Sequence, residues 1–137
     1  MMIKNKSFVV FALASLLWFS EADAQTKPYD STYRPGKYKE LVQKFNDEPI
    51  IKKEYVFLGN SITAGTDWSK LLNLPQAKNR GISGDITFGV LERLQEVIDR
   101  KPAKVFVLIG INDISRDIPD SLILRNYKKI IERIRKG

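Results

Sequence analysis

Residues 55–66 read YVFLGNSITAGT, a short apolar run that stops abruptly on Gly59-Asn60-Ser61. Tyr55, Val56, Phe57 and Leu58 favour extended backbone and show no polar alternation. That is the pattern of a parallel strand covered on both faces. Gly59 then permits a sharp turn. In an open α/β sheet, ligands bind beyond the carboxyl ends of the strands, so Ser61 stands where a nucleophile is useful. The plainer reading of Ser61 is the N-cap of the helix that follows.

On the downstream side, Trp68, Leu71 and Leu72 mark a short helix ended by Asn73 and Pro75, and residues 77–80 form a brief second strand. The turn-rich stretch GISGD (81–85) leads into Phe88, Leu91, Leu94, Val97 and Ile98, a stripe that predicts one helix closed by Pro102. Residues 104–109, KVFVLI, predict a second strongly buried strand, which also ends on a polar loop, Gly110-Ile111-Asn112-Asp113. The last helix starts near Asp120 as N-cap and turns Ile123, Tyr127, Ile130, Ile131 and Ile134 inward. Upstream, Tyr38, Leu41, Val42 and Phe45 fall at i, i+3, i+4 and i+7 of one helix stopping near residues 47–49. Strands alternating with helices imply parallel βαβ units with right-handed crossovers, an α/β fold.

The first residues read as a leader. Lys4 and Lys6 precede the apolar residues 8–19, and Ala22-Asp23-Ala24 has the small-x-small pattern of a signal-peptidase site. Cleavage after Ala24 removes 24 of 137 residues and leaves 113. The apolar stretch is short of the roughly 20 residues of a transmembrane helix, so no membrane span is expected after cleavage; the alternative is an uncleaved anchor. Export to the periplasm or medium follows. The domains expected are 1–24 signal peptide, 25–53 lead-in and first helix, and 54–137 the α/β domain. The leader's Lys4, Lys6, Glu21 and Asp23 cancel, so the net charge of +7 belongs to the mature part. Its lysines and arginines are spread along the chain and thickest over 125–136, which reads as a solvated helical face rather than a nucleic-acid patch. The chain has no cysteine, hence no disulfide, thiolate metal site or lipidated N-terminus.

Three loops thus leave one sheet edge carrying small or amide-bearing residues. Acyl transfer needs a nucleophile and donors around the developing oxyanion, and the N–H of Ser61, the N–H of Gly84 and the amide of Asn112 can provide them. The alternatives are that Gly84 only supplies a positive φ and that Asn112 only closes its own turn.

Gly59-Asn60-Ser61-Ile62, Asn79-Arg80-Gly81-Ile82-Ser83-Gly84-Asp85 and Gly110-Ile111-Asn112-Asp113 resemble the first three sequence blocks of the SGNH/GDSL family of serine esterases and lipases. Asn60 replaces the commoner Asp and Ile62 replaces Leu. The resemblance implies a flavodoxin-like three-layer α/β/α sandwich, with Ser61 as nucleophile and Gly84 and Asn112 completing the oxyanion hole. It also implies a small acyl-ester substrate and no metal or organic cofactor. For an exported member, that substrate would be acetylated carbohydrate, slightly preferred, or lysophospholipid.

The family's last block, an Asp and a His a few residues apart, has no counterpart, and the chain contains no histidine. The family also has two further strands and a closing helix, in sheet order 2-1-3-4-5. The resemblance therefore implies an N-terminal part truncated after the third strand and its helix, inactive alone. Residues 104–109 would be an exposed edge prone to self-association. The alternative is a non-catalytic module that binds an acyl or sugar ligand, or a partner chain that completes the sheet. A nucleotide-binding domain is disfavoured because neither G-x-G-x-x-G nor G-x-x-x-x-G-K-[ST] occurs. An α/β-hydrolase elbow, G-x-S-x-G, fails at Thr63.

Overall fold

Three parallel strands stand side by side in the computed structural model, which describes residues 28–137. The expected leader and its cleavage site lie outside the described residues. β1 (Tyr55–Gly59) is central, flanked by β2 (Ala77–Gly81) and β3 (Lys104–Leu108), in the order β2-β1-β3. Tyr55 pairs with Ala77 and Lys104, and Gly59 with Gly81 and Leu108. The strands therefore finish level, and the loops after them leave one edge of the sheet. Around them run α1 (Tyr38–Asp47), α2 (Ser61–Ala64), α3 (Trp68–Leu71), α4 (Thr87–Glu92), α5 (Leu94–Asp99), α6 (Ile111–Ile114) and α7 (Asp120–Lys136).

Alternation along the strands separates two faces. On one, Val56 and Leu58 pack with Val90, Leu94, Val97 and Ile130 from α4, α5 and α7, all fully buried, while Val105 and Val107 lie partly buried against them. Each such side chain contributes about 1.5–3 kcal/mol when wholly removed from water. On the other face Phe57 stacks on Trp68 of α3 at 4.1 Å and on Phe106 at 4.8 Å. There Phe106 and Leu108 are 47% and 51% exposed.

Two expectations are corrected here. β1 is covered fully on the Val56 and Leu58 face only; Tyr55 and Phe57 are half-buried. The strand over 104–109 is apolar but not strongly buried, because it is an edge and no helix of the described residues lies over Phe106 and Leu108. Its edge position is the one the family's strand order implied.

The helix expected across Phe88 to Ile98 is two helices. They divide at Arg93, whose φ of −93° and ψ of 7° leave the helical range. α7 begins on Pro119 as N-cap, with Asp120 already inside the helix. Ile131, expected inward, is 37% exposed, and the buried polar position on α7 is Asn126. The basic residues Arg125, Lys128, Lys129, Arg135 and Lys136 are exposed, as a solvated face requires.

α1 docks through Tyr38 and Phe45 against Ile82. The Tyr38 hydroxyl donates to Gly89 O at 2.7 Å, and burial pushes its pKa up to about 12. At the amino end of the sheet the fully buried Glu54 receives Arg100 Nε at 2.6 Å and Nη2 at 2.8 Å. Arg100 Nη1 also donates to Glu48 O, and Nη2 to Pro49 O, tying the exit of α1 to the start of β1.

Candidate active site at the carboxyl edge of the sheet

The first loop is set by what cannot fit. A Cβ on Gly59 would stand 2.3 Å from Leu108 O and from Thr63 Oγ1, and one on Gly81 would stand 2.2 Å from Ala64 N. α2 therefore sits directly on the ends of the strands, and glycine is required beneath it. Asn60 is buried, and its Oδ1 accepts Ile62 N at 3.0 Å. Asn60 is thus the N-cap of α2, which corrects the capping role considered for Ser61. Ser61 is the first residue of α2 and is exposed. The far end of α2 is held by Asn79, whose Nδ2 donates to Thr63 O at 2.9 Å and Thr66 O at 2.8 Å.

In the second loop Gly84 adopts φ +81°, in the left-handed region where L side chains are strained. The Tyr33 hydroxyl and Pro35 of the lead-in segment lie against this position. Asp85 beside it is fully buried, with Arg93 Nε donating to Oδ2 at 2.9 Å and Ile86 N donating to Oδ1 at 3.0 Å. Burial raises the Asp85 carboxyl above the usual carboxylate range, against the opposing pull of the Arg93 charge.

The third loop turns on Gly110, at φ +119°. Asn112 does not merely close its own turn, because its Nδ2 crosses to the second loop and donates to Asp85 O at 2.8 Å. An amide has two N–H donors, and this bond uses one of them. Asp113 is fully buried: both its oxygens accept Thr87 N at 3.0 Å, and Oδ1 accepts Thr87 Oγ1 at 2.5 Å. Asn126 of α7 donates to the same Thr87 hydroxyl at 2.9 Å. Burial raises the Asp113 carboxyl, outweighing the Thr87 hydrogen bonds that lower it.

Ser61, Gly84 and Asn112 therefore all follow strands that end level, and Asn112 is bonded to the residue next to Gly84. Sequence reasoning missed Arg93, Thr87, Asn126 and Tyr33. The lead-in segment brings Tyr33 to Gly84, with the Arg116 guanidinium 3.2 Å above its ring. Its two prolines and two tyrosines were the available signal. A cavity of about 750 Å³ runs along the outer edge of β2 between α1 and α3, lined by Leu41, Phe45, Trp68 and Lys78 among others. It reaches the second loop at Ser83, but Ser61, Gly84 and Asn112 do not line it.

Residues 57–137 match the GDSL-like Lipase/Acylhydrolase family. The chain belongs to that family. Its fold is similar to solved structures of three bacterial proteins. One is a Streptococcus pneumonia protein assigned as a platelet activating factor, with TM-score 0.64 and 28% identity over 73% of this chain and 49% of that one. A GDSL-like lipase from Bacteroides thetaiotaomicron gives TM-score 0.57 and 26% identity, over 69% of this chain and 51% of that one. A Bacteroides fragilis protein assigned as an acylhydrolase gives 0.58 and 28%, over 69% and 50%. This GDSL-like chain thus spans about half the length of these structures. No curated protein matches it.

Proposed function

We propose that this chain carries the nucleophile half of an exported serine ester hydrolase. Ser61 Oγ attacks the acyl carbon, and the oxyanion that forms is held by the N–H groups of Ser61 and Gly84 and by Asn112 Nδ2. The observation that supports this most is the Asn112 bond to Asp85 O, which draws an amide of the third loop to the neighbour of Gly84.

The attack needs a base for the Ser61 proton, and the chain has no imidazole. Its nearby carboxylates are poor substitutes. Asp85 and Asp113 are buried and engaged with Arg93 and Thr87. Asp67 caps α3, and the hydroxyl of Ser69 and the N–H of Lys70 hold its carboxyl below the usual range, making it a still weaker base. These 137 residues alone therefore turn over no ester through Ser61, and an Asp and His from elsewhere complete the site. The missing base also favours a second reading, a non-catalytic module that binds an acyl or sugar ligand on the same loops.

The substrate we favour is a short acyl ester of a carbohydrate, ahead of a lysophospholipid. The test joins the chain to the C-terminal half of a solved relative and compares acetate release from an acetylated oligosaccharide with fatty-acid release from a lysophospholipid. Acetate release that Ser61→Ala abolishes is expected. A folded chimera inert toward both would leave the binding reading in its place. Removal of residues 1–24 on export would be tested by N-terminal sequencing of the secreted protein, which should begin at Gln25; a mature chain still carrying residues 8–19 would refute the cleavage.

A further inference from the structure

One buried side chain touches two of the three loops and is one residue removed from the third. Arg93 is 5% exposed and sits where α4 and α5 divide. Its Nε donates to Asp85 Oδ2 at 2.9 Å, and its Nη2 donates to Gly59 O at 3.1 Å. Gly59 immediately precedes Asn60-Ser61, and the carbonyl of Asp85 receives Asn112 Nδ2 at 2.8 Å. The surroundings are shaped for this contact. A Cβ on Gly89 would stand 2.0 Å from Asp85 Oδ1, so the carboxylate lies where only a glycine leaves room.

We propose that Arg93 is a positioning residue that couples the Ser61 turn to the Gly84–Asp85 turn and, through Asp85, to Asn112, so that the three oxyanion donors are held as one unit. This rests on the hydrolase reading of those loops. A buried ion pair is an inefficient source of stability, since desolvating the charges offsets most of their attraction. Arg93 Nη1 is moreover buried with no partner among the described residues, a cost that a purely stabilising apolar side chain would avoid. What an apolar side chain cannot do is hold a carboxylate and a carbonyl 26 residues apart in fixed relation, and the fork of the guanidinium does so.

The test is hydrogen–deuterium exchange on the full chain with Arg93→Lys, whose point-like ammonium lacks the two-armed fork that makes both bonds. Exchange over residues 60–65 should quicken about ten-fold, the loss expected for one hydrogen bond to a charged group, while α7 and β3 exchange at the unmodified rate. Asp85→Asn is the second variant. It does not touch residues 60–65, yet loosening Arg93 should quicken them as well. Unchanged exchange over 60–65 in either folded variant would overturn the proposal. So would uniform acceleration along the chain, or failure of both variants to fold, either of which marks a general structural role. Exchange does not depend on Ser61 chemistry: the predicted pattern with an inert chimera would sink the hydrolase reading alone.

Discussion

Glu54 and Arg100 illustrate how single residues fix the sheet before any site exists. Burial raises the Glu54 carboxyl and the Arg100 hydrogen bonds lower it; the net result lies below the usual glutamate range. A depressed native pKa contributes stability that is fully present above the unfolded value of about 4.3 and is lost as pH falls through the native value. Glu54→Gln should therefore lower stability at neutral pH by about 3–5 kcal/mol, the loss from breaking a buried pair. In urea unfolding, the gap between variant and unmodified chain should narrow as the solution is acidified below about pH 4. A gap independent of pH would show that the carboxylate charge is not the source.

The residues proposed to carry the chemistry were legible in the sequence, because Ser61, Gly84 and Asn112 sit in short turns at or near a glycine, just beyond predicted strands. Those that hold them were not. Arg93 falls between Leu91 and Leu94 in a helical stripe, where a cation reads as an outward residue, and nothing local announces a partner 34 positions earlier. Asn126 and the partner of Asp113 were hidden for the same reason, since the Thr87 that both contact is 39 and 26 positions away.

Among the elements, α2 depends most on its neighbours. Its four residues are too few to form a helix alone, since isolated helices shorter than about 12–15 residues are marginal in water. It persists because Asn60 caps it, Asn79 holds its exit, and Gly59 and Gly81 let it rest on bare backbone. Gly81→Ala would place a methyl 2.2 Å from Ala64 N, against backbone that cannot step aside. The expected result is destabilisation of about 1–3 kcal/mol by overpacking, with α2 lifted off the sheet. Calorimetry would check the first part and amide exchange over residues 60–65 the second; an unchanged melt would show that the contact is slack.

Element types were readable from periodicity, and β3 shows where that reading stopped. The run KVFVLI is apolar enough for a central strand, but burial depends on what lies beside it, which apolarity does not encode. The interruption of the helix at Arg93 was equally invisible, as the apolar stripe continues through it from Leu91 to Leu94.

At the scale of the molecule, the exposed apolar surface along the β3 edge is the dominant feature among the described residues. Phe106, Leu108, Ile111 and Ile114 are each about half exposed or more, on or just beyond an edge strand. Contiguous apolar surface beside an edge promotes association, while the net charge of +7 opposes it. Self-association should therefore tighten as salt screens the repulsion. Sedimentation velocity should show this for the unmodified chain and a monomer for the Phe106→Lys, Leu108→Lys double variant. A monodisperse monomer of the unmodified chain at high salt would contradict it.

The central claim is that Ser61 is a nucleophile whose base lies outside these 137 residues. It is tested most directly by measuring hydrolysis of an activated acetyl ester by the purified chain, its Ser61→Ala variant, and the chimera that supplies an Asp and a His. The account predicts that chain and variant are indistinguishable from one another, and that the chimera turns over through Ser61. Turnover by the chain alone at about 1 s⁻¹ or faster, an ordinary enzyme rate, abolished by Ser61→Ala, would contradict it.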